Sequence, residues 1–149
     1  MTYEPLLAFV DAAIQLTGAD FGNLQIVHST GDLEIVAQRG FSEEWLSYWN
    51  THARGKGCCG SALENGHRVV VQDITKSEIF SDAEALEIQL REGVWAIQST
   101  PIFAEDGRAV GMLSTHYRKP WKLTAGEIAS LDVIARKASH VIEISFSNS

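Results

Sequence analysis

Two runs of apolar and β-branched residues, 94–103 and 109–117, dominate the hydrophobic pattern of the chain. The sequence Glu105-Asp106-Gly107 separates them, and an Asp-Gly step is typical of tight hairpin turns that need a positive φ. The pattern therefore predicts a hairpin of two long strands, around which the rest of the chain is organised. Polar residues interrupt both strands and are candidates to face a cavity: Gln98, Ser99, Thr100, Ser114, Thr115 and His116.

Apolar residues at helical spacing predict a first helix over 3–17, with Gly18 placed as its C-terminal stop. A capping box formed by Ser81 and Glu84 predicts the start of another helix, which continues until Gly93. We expect the inward face of that helix to hold Ala83, Leu86 and Leu90.

The C-terminal helix has the clearest start signal. Thr124 and Glu127 form a second capping box, and Leu123 and Ile128 lie where a hydrophobic staple places them. The helix predicted from there to Ser145 carries apolar residues three and four positions apart: Ile128, Leu131, Ile134, Ala135, Ala138, Val141 and Ile142. A stripe this wide has enough apolar surface for the sheet and for a second partner, either the first helix or another subunit.

Alternating apolar and polar residues predict a first hairpin, which pairs 23–28 with 33–39. Ser42 is a good N-cap for the helix that follows, which carries Trp45 and Trp49 four residues apart on one face. Both tryptophans are expected to pack on the sheet, and the alternative is that one of them covers a ligand cavity.

A glycine-rich stretch at 55–60 leads into a short helix predicted at 61–65, and 67–73 is a compact strand around three valines. Glycine-rich loops before helices can bind anions through backbone amides. This stretch matches neither GxxxxGK[ST] nor GxGxxG, and the nearby cations are limited to Arg54, Lys56 and Arg68.

Composition narrows the functional classes. The 149 residues suffice for one domain with a full core, and 45% hydrophobic with 21% charged residues is ordinary for a globular protein. A net charge of −7 argues against nucleic-acid and anionic-membrane surfaces, which require clustered Lys and Arg. The first residues lack a basic n-region and no apolar run is long enough to span a bilayer, so we expect a cytoplasmic protein.

Metal and hydrolase motifs are missing from the sequence. The histidines are scattered, without an HxxxH or CxxC spacing, at His28, His52, His67, His116 and His140. No GxSxG nucleophile elbow occurs either. We therefore expect no metal ligands and no catalytic residues.

Six segments of the sequence together resemble one known family. They are GADFGN at 18–23, AQRGF at 37–41, CGSAL at 59–63, VVVQD at 69–73, QSTPI at 98–102 and GMLSTH at 111–116. These segments, in this order, resemble the GAF domain as it is found in bacterial sensor histidine kinases and related signalling proteins. The resemblance covers nearly the whole chain and implies a single domain over residues 1–149. It implies an α+β, PAS-related fold of three layers (α/β/α): a central antiparallel sheet of five to six strands, with the N- and C-terminal helices on one face.

The resemblance also implies a function, because GAF domains hold small molecules between the sheet and the middle segments. They pass signals through dimeric terminal helices. We therefore expect a small-molecule-sensing or dimerisation module of a bacterial signal-transduction protein, non-catalytic by itself, homodimeric through its terminal helices and able to carry a fused output domain. The ligand is unknown, and the pocket is expected to be lined by Trp45, Trp49, Cys59, Asp73, Phe80, Trp95, Ser99, Ser114 and His116.

Tetrapyrrole-binding GAF domains of the phytochrome type place a pocket histidine where His116 lies and a chromophore-facing residue where Ser99 lies. Their usual attachment cysteine falls in the segment matching 81–92, which has no cysteine here, so no covalent bilin is expected. The alternative for His116 is a structural role, with one ring nitrogen on a backbone carbonyl.

The glycine-cysteine stretch also resembles that of the free methionine-R-sulfoxide reductases, with Cys59 at the matched position. Their attacking cysteine lies just before the central hairpin, where this chain has none. Cys58 cannot readily replace it, because neighbouring side chains on an extended segment point apart. A thiol-dependent reductase is therefore one alternative to a sensor. Another is a purely structural dimerisation module whose cavity is filled by its own side chains.

Overall fold

Helices and strands follow the predicted order along the chain. The computed structural model describes residues 2–52 and 57–146. The helices are α1 (Glu4–Thr17), α2 (Glu43–His52), α3 (Gly57–Asn65), α4 (Ala83–Glu92) and α5 (Ala125–Phe146). The strands are β1 (Phe21–Val27), β2 (Leu33–Arg39), β3 (Val69–Val71), β4 (Ala96–Phe103) and β5 (Ala109–Tyr117). Two short 3-10 turns, Ile74–Lys76 and Glu78–Phe80, lie between β3 and α4.

The strands form one antiparallel sheet in the order β2-β1-β5-β4-β3, with the predicted central hairpin as β4 and β5. The register of that hairpin places Ser99 directly opposite Ser114. Because side chains two residues apart share a face, His116 points to the same side as this pair. Thr100 and Thr115, one position away on each strand, point to the opposite side.

The sheet divides the hydrophobic core into two sides, each covered by helices. α1 and α5 pack on one face, where Leu24 and Leu113 are fully buried. α2, α3 and α4 cover the other face, over Phe21 and Ile97. The terminal helices therefore share one face, as predicted, and the three-layer α/β/α arrangement is confirmed. Burial of each such large side chain contributes roughly 1.5–3 kcal/mol to folding.

Helix ends follow the predicted signals at most positions. α1 ends at Gly18, and α5 begins with the predicted capping box. The amide of Glu127 donates to Thr124 Oγ1 (3.1 Å), and the amide of Thr124 donates to Glu127 Oε1 (2.9 Å). Ser42 Oγ accepts from the amide of Trp45 (3.2 Å) at the start of α2. Within the described ranges, none of the helices is both long and apolar enough to cross a membrane.

The start and inner face of α4 differ from the prediction. Asp82, not Ser81, is the N-cap, and its carboxylate accepts from the amides of Glu84 (2.9 Å) and Ala85 (3.3 Å). A carboxylate is a stronger acceptor than a hydroxyl for these amides. Packing on α2 sets the buried face, which comprises Ala85, Ile88 and Gln89. Of the predicted inward residues, Ala83 is exposed and Leu86 and Leu90 are half-buried at the edge of the core.

Two further boundaries were predicted wrongly. α3 already begins at Gly57 rather than at residue 61, because Cys58 is buried in the core and Cys59 packs at the edge of the core as part of the helix. β3 is limited to three residues, since Asp73 turns to cap the following 3-10 turn instead of extending the strand. Arg54 and Lys56, the cations noted beside the glycine-rich stretch, fall outside the described residues.

Candidate functional site

A small internal cavity, hereafter the central cavity, lies between the sheet and helices α2, α3 and α4. Its free volume is about 20 Å³, which is room for about one water molecule. The lining residues are Asn23, Gln25, Trp45, Trp49, Gly57, Cys58, Cys59, Gln89, Ile97 and His116. None of these side chains carries a fixed charge, so the described wall of the cavity is neutral.

Aromatic rings form one wall. Phe41, just before α2, stacks on Phe21 (centroids 5.1 Å apart) and on Trp45 (3.7 Å). Trp45 also lies 6.1 Å from Trp49, one helical turn later. The indole Nε1 of Trp45 donates to Gln89 Oε1 (2.8 Å), which ties α2 to α4. Ring stacking therefore packs this wall, and a buried hydrogen bond ties it to α4.

The start of α3 approaches this wall very closely. Gly57 has a φ of +68°, and a Cβ at this position would lie 2.8 Å from the ring of Trp49. Both the backbone angle and the distance require glycine here. The glycine at the first residue of α3 therefore serves close packing against an indole.

The floor of the cavity is a hydrogen-bonded cluster centred on Cys59. Its Sγ lies 2.8 Å from Ser114 Oγ and 3.2 Å from Ser99 Oγ. The two serine oxygens are themselves 2.5 Å apart, and Gln25 Nε2 donates to Cys59 Sγ (3.1 Å). The cluster thus connects β1, β4, β5 and α3 beneath the cavity.

Neither cysteine is in an environment that favours a thiolate. Burial raises the pKa of the Cys58 thiol, and the neighbouring Cys59 raises it further. Burial also raises the pKa of Cys59, although hydrogen bonds from Ser114, Ser99 and Gln25 oppose the shift. Both groups therefore stay protonated at neutral pH. In the part of the chain that the structure describes, no three His, Cys, Asp or Glu side chains converge to hold a metal.

His116 lies between aromatic rings at the inner end of the cavity. Its ring meets those of Phe41 (4.8 Å, 84°) and Trp45 (5.5 Å, 88°) edge to face. Burial lowers the pKa of His116 from its ordinary value to about 3. The imidazole is consequently neutral at physiological pH, with one nitrogen that can donate and one that can accept.

Four buried polar atoms of residues that line the cavity have no hydrogen-bond partner among the described residues. They are Asn23 Nδ2, Gln25 Oε1, Trp49 Nε1 and His116 Nδ1. Leaving a buried donor or acceptor unpaired costs about 1–3 kcal/mol. A molecule bound in this cavity, even a single water, would satisfy some of these atoms.

Most of the residues predicted to line a pocket do come together. Four of them line the central cavity: Trp45, Trp49, Cys59 and His116. Ser99 and Ser114 lie directly beneath, bonded to Cys59. Phe80 is buried in the hydrophobic core on this side of the sheet, without lining the cavity.

Asp73 and Trp95 do not join this group, and the prediction is corrected for both. The Asp73 carboxylate accepts from the amide of Thr75 (3.0 Å) and lines a separate surface groove beside Lys76. Trp95 precedes the first residue of β4 and remains 37% exposed. Position along the strand, rather than facing direction alone, decides whether a residue reaches the cavity.

Sequence reasoning missed five lining side chains, three of them amides: Asn23, Gln25, Cys58, Gln89 and Ile97. Asn23 and Gln25 alternate with apolar residues in β1, a pattern that usually indicates a solvent-exposed face. β1 lies inside the sheet and is buried on both faces. A polar residue in a strand with both neighbours paired is the signal that would have identified them.

Comparisons with known proteins define the family. The family model of the GAF domain matches residues 6–142, and the chain belongs to this family. A search among curated proteins finds no sequence match. Many solved structures share the fold, three of which illustrate its range.

The first of these structures is a domain described as part of a two-component sensor histidine kinase from Sinorhizobium meliloti 1021. It superposes with a TM-score of 0.80 at 24% identity, and the match covers 100% of this chain and 99% of that one. The type II free methionine-R-sulfoxide reductase of Thermoplasma acidophilum gives 0.75 at 14% identity (95% and 92% covered). The GAF domain of an Acinetobacter phosphoenolpyruvate-protein phosphotransferase gives 0.75 at 13% identity (98% and 84%). At these identities the likeness shows the fold alone.

Proposed function

We propose that this chain is a small-molecule-sensing GAF module of a signal-transduction protein, non-catalytic by itself and homodimeric through α1 and α5. The observation that carries the proposal is the set of four polar atoms at the central cavity that have no partner in the described part of the chain. A molecule bound in the cavity would satisfy these atoms: an ordered water at the present volume, or a ligand that displaces a wall. The likeness to a sensor histidine kinase domain is consistent with a signalling role.

The contacts of α3 supply a route from the cavity to α5. α3 lines the cavity with its first turn, and Arg68 follows shortly after its last residue. The Arg68 guanidinium donates from Nε to Thr100 Oγ1 (3.0 Å) and from Nη2 to Asp132 on α5. A ligand that displaces α3 therefore shifts a charged group bonded to the C-terminal helix.

The outer surface of α1 and α5 supports self-association. An apolar groove between the two helices, hereafter the α1–α5 groove, is lined by Ala8, Phe9, Ala12, Leu16, Ala129, Ser130, Val133, Ile134 and Lys137. Leu16 is 54% and Val133 42% exposed. A second copy of the chain would cover the same patch on both partners, as a two-fold interface requires.

The cysteine environment favours a sensor over a thiol-dependent reductase. Reductase chemistry needs a low-pKa thiolate that attacks the sulfoxide. Here burial raises the pKa of both thiols, and Cys59 is bonded to two serines and an amide. We therefore expect the wild type to show only background turnover of methionine sulfoxide, and Cys59→Ser to leave it unchanged. If the wild type turned over the sulfoxide and Cys59→Ser abolished that activity, the reductase alternative would be supported instead.

The experiment that tests the proposal is native mass spectrometry of the purified chain after incubation with a small-metabolite extract. We expect a dimer that carries additional mass. His116→Phe keeps the aromatic contacts but removes a cavity polar atom, and it should lose the additional mass. His140→Phe makes the same change at an exposed position of α5 and should retain it. A dimer without additional mass would favour a structural dimerisation module, and a monomer would contradict the helix-mediated dimer.

A further inference from the structure

The unpartnered atoms of the central cavity form a definite hydrogen-bonding pattern. Gln25 Nε2 donates to both Asn23 Oδ1 (3.0 Å) and Cys59 Sγ (3.1 Å), which uses both of its N–H groups. The atoms left over are Gln25 Oε1, an acceptor, and Asn23 Nδ2, a donor. These two residues share one face of β1, so the acceptor and the donor lie on neighbouring side chains.

From this pattern we propose that the central cavity recognises a compact, uncharged molecule that bears a carboxamide or lactam group. This inference rests on the proposed ligand-binding function of the same cavity. The ligand N–H donates to Gln25 Oε1, and the ligand C=O accepts from Asn23 Nδ2. Trp49 Nε1 offers a further donor to a second acceptor of the ligand. No covalent step is involved.

Charge separates this class from its closest isosteres. A carboxylate would place an acceptor oxygen against Gln25 Oε1, with no N–H group to donate to it. Its negative charge would also be buried among the uncharged side chains of the described cavity wall. Burial of an unpaired charge is far more costly than burial of a paired amide. The described wall of the cavity therefore discriminates against carboxylates of the same shape.

A small amide enters the central cavity only if the cavity widens. Trp45 and Trp49 form flat walls, and the free volume is only about 20 Å³. Even a small amide must therefore displace a wall. Trp49 and Gly57 lie in close contact where α2 meets α3. Separation of this contact on binding would couple occupancy to α3 and thus to the Arg68 route described above.

The test is a titration of the full ¹⁵N-labelled chain with two matched pairs of probes: acetamide and acetate, and nicotinamide and nicotinate. The readout is the chemical shift of the Trp49 indole N–H and of the side-chain amides of Asn23 and Gln25. Trp121 is the internal control, because its Nε1 also has no partner within the described ranges while its side chain lines a different groove. In each pair we expect the amide to shift the cavity signals, with a Kd about tenfold or more lower than the Kd of the corresponding acid.

A variant pair locates the effect. Trp49→Phe removes the indole donor and keeps an aromatic wall, so amide binding should weaken about fivefold or more. Trp121→Phe makes the same change outside the cavity and should bind as the wild type does. The ¹H–¹⁵N spectra of both variants report directly whether each one folds.

Several outcomes would overturn the inference. Acids that bind as tightly as their amides would disprove the ligand class while leaving ligand sensing intact. Equal shifts at Trp49 and Trp121 would indicate an adventitious additive only. If none of the four probes changed the chemical shifts of the cavity residues, the carboxamide class would also be rejected. The native mass spectrometry described above tests the sensing function separately, because it detects any bound small molecule, whatever its chemical class.

Discussion

At the scale of single residues, His116 gives the stability of the fold a pH dependence. Its folded-state pKa of about 3 lies below the ordinary value of 6.5, so the unfolded chain binds the proton more tightly. The stability contributed by the neutral ring is therefore complete above about pH 6.5 and is lost as the pH falls towards 3. The loss is about 1.4 kcal/mol per pH unit.

Urea unfolding at pH 7 and pH 5 tests this expectation. Between these values the wild type should lose about 2 kcal/mol relative to His116→Phe, which cannot take up the proton. Other titrating groups act equally in both proteins and cancel in the difference. A difference that stays constant with pH would show that the histidine is not held neutral.

Gly57 gives a second prediction at this scale. Gly57→Ala introduces a Cβ at 2.8 Å from Trp49 on top of an unfavourable positive φ. Gly66→Ala shares the positive φ, at +72°, but has nothing within 4 Å of the new Cβ. We expect Gly57→Ala to be less stable than Gly66→Ala by about 1–3 kcal/mol, the cost of overpacking. Thermal unfolding monitored by tryptophan fluorescence provides the comparison, and equal losses would mean that only backbone strain matters.

Individual site residues were predictable where the family pattern and strand alternation agreed. His116, Ser99 and Ser114 share a face, and the structure places all three on the cavity side of the sheet. Asn23 was missed because nothing local distinguishes a polar residue in a covered strand from one in an exposed strand. Trp95 was misplaced because alternation gives the direction of a side chain and not its distance from the sheet end.

At the scale of secondary-structure elements, the link between Arg68 and Asp132 joins the cavity side of the molecule to α5. The Arg68 side chain is only 19% exposed and also donates to the buried Thr100. A double-mutant cycle with Arg68→Met and Asp132→Asn should give a coupling free energy of about 1–2 kcal/mol in urea unfolding.

The matched control for this cycle is the pair of Arg39 and Asp11, which joins β2 and α1 through two hydrogen bonds of 3.0 Å. Both of these side chains are about half exposed, so water and salt screen their attraction. We expect a smaller coupling for the control, and one that falls further in high salt. Equal coupling free energies for the two pairs would contradict a special role of Arg68 in signal transmission.

Elements were predicted best where a local chemical signal fixes an end. The capping box at Thr124 specifies α5 by short-range hydrogen bonds, and the Asp-Gly step specifies the central hairpin. The start of α3 has no comparable signal, because tertiary packing of two cysteines and of Gly57 against Trp49 decides it. The face of α4 was missed for the same reason, since ten residues can bury either of two adjacent stripes.

At the scale of the whole molecule, the three-layer fold followed from the order of the elements and from the apolar width of the terminal helices. The two faces of the sheet could not be assigned a role by pattern alone. One face supplies the closed core under α1 and α5, and the other holds the central cavity. That division depends on long-range packing, which a single sequence does not encode in any local spacing.

The proposed dimer gives the last prediction, because it depends on the outer surface of the whole domain. Val133, on α5, is 42% exposed in the α1–α5 groove, and Val133→Glu should place a charge in the interface. A two-fold axis presents the substitution twice, so the penalty of burying a charge is doubled. We expect the dimer to weaken by about a hundredfold or more in sedimentation equilibrium, since each copy loses at least 1.4 kcal/mol.

Val70→Glu is the matched control, because Val70 has a similar exposed fraction, 39%, and lies on the edge strand β3, outside the α1–α5 groove. It should remain dimeric, and circular dichroism should show both variants to be folded. A Val133→Glu protein that remains dimeric would place the interface elsewhere. If both variants dissociated equally, net charge rather than the α1–α5 groove would control association. The proposed route from the central cavity to α5 would then have to act on a surface other than this groove.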